Sequence, residues 1–85
     1  AEAAATHDLV IVTDEIYSRL VYDGGRAPTI AAHPAAEGRT LYVDGTSKTY
    51  AMTGYRLGWL VAPPAWMERL VTLAINGHTC VPPFI

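Results

Sequence analysis

Two short segments carry residue types that can do chemistry together. Asp14-Glu15-Ile16-Tyr17 sets two carboxylates and a phenol within four positions. Ser47-Lys48 supplies a hydroxyl and an amine, and Arg56 follows. A lysine amine is nucleophilic once deprotonated, and its pKa falls readily near other cations or on burial. A guanidinium fork suits a carboxylate or a phosphate. Taken singly, these residues also have ordinary uses. An Asp at a strand end caps a helix, a lone Lys is a solvated surface charge, and Tyr17 suits a half-buried position with a wet hydroxyl. Arg56 is less ordinary, because a charge beside Leu57, Trp59 and Val61 on an apolar strand needs a partner.

Other chemistries find less support. His7, His33 and His78 lie far apart without metal-ligand spacing. Cys80 reads as a small buried apolar residue, and Ser47 has no histidine close by in sequence. Gly24-Gly25 lacks the strand-glycine-helix setting of a nucleotide loop.

The elements that must position these groups can be read from pattern. Residues 1–6 are strong helix formers, with His7 placed to meet the helix dipole. Leu9-Val10-Ile11-Val12 is a β-branched apolar run without polar alternation, which predicts a strand covered on both faces. Residues 14–19 are expected to form a short helical turn, Asp23-Gly24-Gly25 a turn, and residues 27–38 a loop with at most one helical turn. Leu41-Tyr42-Val43 predicts a second strand stopped at Asp44-Gly45, and residues 46–53 read as irregular. Residues 55–62 predict a third strand, antiparallel to the second. A helix over 64–77 starts at Pro64, stops at Gly77, and packs through Met67, Leu70, Val71 and Ala74. The sum is an α/β layer. Ligands of such sheets collect outside the carboxyl ends of the strands, so the Asp14 and Lys48 segments are expected to meet at one edge.

The chain has 85 residues, 51% hydrophobic and 16% charged, with a formal net charge of −2. That apolar balance suits the inside of a larger protein better than a free-standing small domain. The helix-like Ala-rich opening and the apolar closing stretch Val81-Pro82-Pro83-Phe84-Ile85 fit an internal fragment. Scattered Lys and Arg give no basic stripe for nucleic acid, no stretch reaches the length of a membrane span, and no leader pattern stands at the start. A single cysteine forms no internal disulfide and fits a reducing, cytoplasmic compartment.

The combination is more specific than its parts. Asp14-Glu15-Ile16-Tyr17, followed by Ser47-Lys48-Thr49-Tyr50-Ala51-Met52-Thr53-Gly54-Tyr55-Arg56-Leu57-Gly58-Trp59, resembles the two signature stretches of class I and II aminotransferases. These are pyridoxal 5'-phosphate enzymes of the aspartate aminotransferase fold. The resemblance runs through essentially the whole chain, including Val21-Tyr22-Asp23-Gly24 and the Pro63-Pro64 helix start. It implies that residues 1–85 are part of the large, cofactor-binding domain, a mostly parallel sheet with one antiparallel strand, covered by helices. By the same resemblance Lys48 is the Schiff-base lysine and proton carrier. Asp14 pairs with the pyridine nitrogen, so that the charged ring serves as an electron sink. Tyr17 bonds the ring's 3-oxygen, and Arg56 holds the phosphate. Many relatives place a phosphate-binding serine three residues before the lysine; here that residue is Gly45. The hydroxyl contact is therefore open between Thr46, Ser47 and neither, with Ser47 the candidate.

The activity this implies is amino-group transfer between an amino acid and a 2-oxo acid, in a homodimeric parent without nucleic-acid or membrane partners. The fragment alone is expected to be inactive. Lyases and synthases of the same fold, a non-catalytic sensor module of a transcription regulator, and an α/β core with decayed motifs are the alternatives. The Tyr17 position and the wording of residues 52–59 favour an aminotransferase over the lyases.

Overall fold

The computed structural model describes residues 1–83; Phe84 and Ile85, which end the apolar closing stretch, lie outside the described residues. Its centre is a sheet of three strands, β1 (Ile11–Asp14), β2 (Thr40–Gly45) and β3 (Gly58–Val61), in the order β1-β2-β3. β1 and β2 are parallel, with Asp14 opposite Val43. β2 and β3 are antiparallel, with Gly45 opposite Gly58. The α/β fold and the strand directions match the sequence reading. Helix α1 (Glu2–Thr6) precedes β1, the single-turn α2 (Thr46–Thr49) follows β2 directly, and α3 (Pro64–His78) follows β3.

The element boundaries depart from the sequence pattern for identifiable reasons. β1 starts two residues later than the apolar run, because Leu9 and Val10 serve the join to α1. The Leu9 amide donates to Ala4 O, and the Leu9 carbonyl accepts from the Arg39 guanidinium. Arg39 also reaches Ala4 O and the carboxylate of Asp8, so one side chain clamps α1 to the start of the sheet. Residues 14–19 form turns and no helix, since the Asp14 carboxylate takes the Ile16 amide in a local turn. Between Ala27 and Gly38 stand two 3-10 turns, Ile30–Ala32 and Pro34–Ala36, where at most one was expected. β2 runs through Asp44-Gly45, and the stretch after it, read as irregular, begins with α2 and contains a 3-10 turn, Thr53–Tyr55.

β3 is shorter than its apolar run. Arg56 lies outside it, at a left-handed position with φ of 55°. Gly77 does not end α3, which runs on to His78 and closes at Thr79. A single glycine costs a helix about 1 kcal/mol relative to alanine, too little to force a stop. Met67 and Leu70 are half-buried as expected, but Val71 and Ala74 are exposed. The far half of the helix meets nothing in this chain that covers its apolar face.

The same holds for the sheet. Ile11 and Ala36 are the buried hydrophobic residues among those described, while Val12 on β1 is 70% exposed. The expected cover on both faces of the first strand is absent within this chain. Its extents are 43 × 39 × 15 Å and its radius of gyration is 14.7 Å, against about 12 Å for a compact domain of this length. It is one layer of a sheet with its flanking elements.

Candidate functional site

The parallel pairing of β1 and β2 brings their carboxyl ends side by side. The ladder ends at Asp14 opposite Val43, with one further bond from the Glu15 amide to Val43 O. Asp14 is therefore the last residue of β1 and Tyr17 lies in the turn beyond it. β2 continues to Gly45 and passes straight into α2, which carries Ser47 and Lys48. The antiparallel β3 starts where β2 ends, so Arg56 and Leu57 approach the same edge from the other side. The five residues singled out in the sequence, Asp14, Tyr17, Ser47, Lys48 and Arg56, thus come from segments that converge on one edge of the sheet.

The contacts make this convergence concrete. The Lys48 Nζ stands 5.7 Å from the centroid of the Tyr17 ring, within range of a cation–π attraction. One Asp14 carboxylate oxygen accepts the Ile16 amide at 3.1 Å; the other has no partner among the described residues. Arg56 donates one Nη1 hydrogen bond to Thr53 O at 2.9 Å and is otherwise exposed. This corrects the view of Arg56 as a charge trapped on an apolar strand. It sits in the turn before β3, with most of its fork open.

The two hydroxyls left open by the sequence differ in their surroundings. Thr46 is 8% exposed, and both its amide and its Oγ1 donate to Leu57 O, at 3.1 and 3.3 Å. The Ser47 hydroxyl is half-exposed and has no protein partner among the described residues. Gly45 has no room for a side chain. A Cβ there would fall 2.9 Å from Leu57 O and 3.2 Å from Ile16 Cδ1.

A second polar group lies beside this edge. Paired residues of neighbouring strands share a face and successive residues alternate, so Thr13, Tyr42 and Asp44 project on the face opposite to Asp14. The Tyr42 hydroxyl donates to Asp44 Oδ2 at 3.1 Å, and the Gly45 amide donates to Asp44 Oδ1 at 2.7 Å. Burial, with the bond and charge of Asp44 and the more distant charge of Glu15, raises the Tyr42 pKa above its ordinary 10.0. Glu15 accepts from Thr13 at 3.1 Å and from Thr29 at 2.5 Å, tying the loop to the end of β1. The sequence reading took Asp44-Gly45 only as a strand stop and gave Glu15 no partner. The alternation of Tyr42 and Asp44 along a strand was the available signal.

The residues set aside earlier stay apart from this edge. Cys80 is exposed rather than buried. A groove of about 740 Å³ is lined by Arg56, Gly58, Val71, Ala74, Ile75 and His78 among others, but not by Asp14, Tyr17, Ser47 or Lys48. Among the described residues no cluster of His, Cys, Asp or Glu is placed to hold a metal ion, and no helix is long and apolar enough to cross a membrane.

Comparison with known proteins agrees with this arrangement. The aromatic-amino-acid aminotransferase 2 of Thermococcus litoralis is 44% identical over 85 residues, covering 100% of this chain and 22% of that protein. The aspartate aminotransferase of Pyrococcus abyssi is 40% identical over the same length, again 22% of that protein. The crystal structure of an aromatic aminotransferase from Pyrococcus horikoshii superposes with a TM-score of 0.83 at 40% identity, covering 94% of this chain and 21% of that one. The chain thus spans about a fifth of the length of the relatives it matches. The family model for aminotransferase class I and II matches residues 1–82, nearly the whole sequence. With that match and these relatives, the chain belongs to the class I and II aminotransferases.

Proposed function

We propose that residues 1–85 are part of the large, cofactor-binding domain of a longer pyridoxal-phosphate-dependent aminotransferase, which exchanges an amino group between an amino acid and a 2-oxo acid. The observation that carries this reading is the approach of Lys48 Nζ to the Tyr17 ring, at the edge where Asp14 and Arg56 also arrive. The one-layer shape and the exposed faces of the sheet and α3 support a larger surrounding domain. Relatives named as aminotransferases favour amino-group transfer over the lyase, synthase and sensor readings.

The donor set fits the cofactor. Its phosphate needs cationic and hydroxyl donors, and the open fork of Arg56 and the unpartnered hydroxyl of Ser47 supply both. Thr46, already bonded to Leu57 O, is the weaker candidate. The free oxygen of Asp14 would hold a proton on the ring nitrogen, and the Tyr17 phenol would donate to the ring oxygen. When bound, pyridoxal phosphate supplies the aldehyde that accepts amines and the ring that stabilises negative charge. The Lys48 amine would hold the cofactor covalently, then remove and return the substrate proton at Nζ. As in the sequence reading, the parent protein is proposed to act as a homodimer.

Borohydride reduction of the full-length protein loaded with pyridoxal phosphate tests the reading. The cofactor should become fixed to a peptide containing Lys48. Lys48→Ala should still bind the cofactor through Arg56 and Asp14, yet lose transamination by about 10²–10⁴-fold or more. Fixation at another lysine, or an unchanged rate in Lys48→Ala, would show the assignment to be wrong.

A further inference from the structure

The join between β2 and α2 has a feature that the proposed chemistry does not use. β1 stops pairing at Asp14 opposite Val43, so the next amides of β2 extend past the end of their parallel neighbour. Gly45 is buried at that point and its amide needs an acceptor. The acceptor is its own neighbour, Asp44 Oδ1, at 2.7 Å. The other carboxylate oxygen is held by the Tyr42 hydroxyl, two residues back along the same face of β2. On the far side, Leu57 O accepts both the amide and the hydroxyl of Thr46. Gly45 and Thr46 are therefore gripped from two sides immediately before the turn that carries Lys48. The close approach of Leu57 O and Gly58 Cα to Gly45 leaves the backbone little freedom to shift.

We propose that Asp44, braced by Tyr42, is a positioning residue that sets the point at which α2, and with it Lys48, leaves the sheet. It touches neither substrate nor cofactor, and it acts from the face of the sheet opposite to Asp14. The carboxylate does so by geometry: both oxygens are engaged, one by the strand that comes in and one by the backbone that goes out. A bond from an amide to a charged acceptor is also among the stronger hydrogen bonds. The link to the cofactor rests on the function proposed for Lys48, while the effect on the backbone does not.

The test uses the full-length protein in two states. Without cofactor, amide hydrogen exchange over residues 45–48 should quicken by about tenfold or more in Asp44→Ala, and less in Tyr42→Phe. Asp44→Asn should stay close to the unsubstituted protein, because the amide oxygen can still accept from Gly45 and its N–H can meet the phenol oxygen. With pyridoxal phosphate added, affinity and the yield of borohydride fixation at Lys48 should fall in the same order. Exchange that quickens throughout the sheet, or Asp44→Asn behaving like Asp44→Ala, would overturn the proposal. So would unchanged fixation in Asp44→Ala where the unsubstituted protein is fixed at Lys48. Were the unsubstituted protein itself not fixed there, the function assigned to Lys48 would fail and the cofactor link with it; the exchange comparison would then decide the backbone role by itself.

Discussion

The ammonium nitrogen of Lys48 lies 5.7 Å from the centre of the Tyr17 ring, although the two residues leave the sheet from different strands. The parallel pairing of β1 and β2 makes this approach possible, since it sets both carboxyl ends at one edge. A one-residue slip of that register would turn Asp14 to the other face and shift Tyr17 relative to Lys48. The register is held from both ends, by Ile11 N on Arg39 O and by Glu15 N on Val43 O.

Arg56 offers a test of how an anion would be held. Its fork is open except for the bond to Thr53 O, and a forked donor binds phosphate through two parallel bonds. Arg56→Lys in the full-length protein should weaken pyridoxal phosphate binding by about tenfold, and Arg56→Ala by about 10- to 100-fold. Equilibrium titration of the visible absorption would measure both. Equal affinity across the three proteins would remove Arg56 from the phosphate site.

The sequence made the fold class, the strand directions and the convergence of Asp14, Tyr17, Lys48 and Arg56 legible, because these rest on apolar runs and on residue types at fixed spacing. It misplaced the strand ends, because a hydrogen bond from a distant side chain decides them. Nothing local to Leu9 shows that Arg39 will take its carbonyl. It also put Arg56 on β3, since an apolar run does not reveal a left-handed turn at its start. Asp44 was read as punctuation, as its bonds to Tyr42 and Gly45 become visible only with β2 extended past Val43.

The Arg39 clamp can be separated from its ion pair. Asp8 is 99% exposed in its side chain, whereas Arg39 is 25% exposed and also bonds two carbonyls. Exposed ion pairs contribute little. Asp8→Ala should leave the urea midpoint of the full-length protein nearly unchanged. Arg39→Ala should lower its stability by about 1–3 kcal/mol, because the carbonyls of Ala4 and Leu9 lose a charged donor. Equal losses in the two variants would show that the ion pair, not the carbonyl bonds, is what matters.

Tyr42 predicts an alkaline limit. Its folded pKa lies above the ordinary 10.0, from burial first and then from Asp44. The folded state therefore holds the phenol proton more tightly than the unfolded chain. This contribution is complete below pH ~10 and is lost as pH rises through the folded value. Tyr42→Phe should be less stable at neutral pH through the lost bond to Asp44, yet show a shallower decline above pH ~10. Urea unfolding on either side of that pH would measure the difference, and parallel declines in the two proteins would contradict it.

Gly45 gives the sharpest comparison with relatives that carry serine at this place. Its φ of −171° is ordinary extended backbone, so no conformational preference demands glycine there. The demand is for space. An added Cβ would lie 2.9 Å from Leu57 O, and that oxygen is fixed by two bonds from Thr46, so it cannot move aside without breaking them. Gly45→Ser should therefore destabilise the full-length protein by about 1–3 kcal/mol, as overpacked sites do. It should not tighten pyridoxal phosphate binding, because the backbone shift would carry Ser47 and Lys48 with it. Gly45→Ala should show the same loss of stability, since the clash is at Cβ and not at the hydroxyl. Thermal melts together with a cofactor titration would check both. A Gly45→Ser protein of unchanged stability and higher affinity would mean that the join between β2 and α2 yields more readily than its contacts imply.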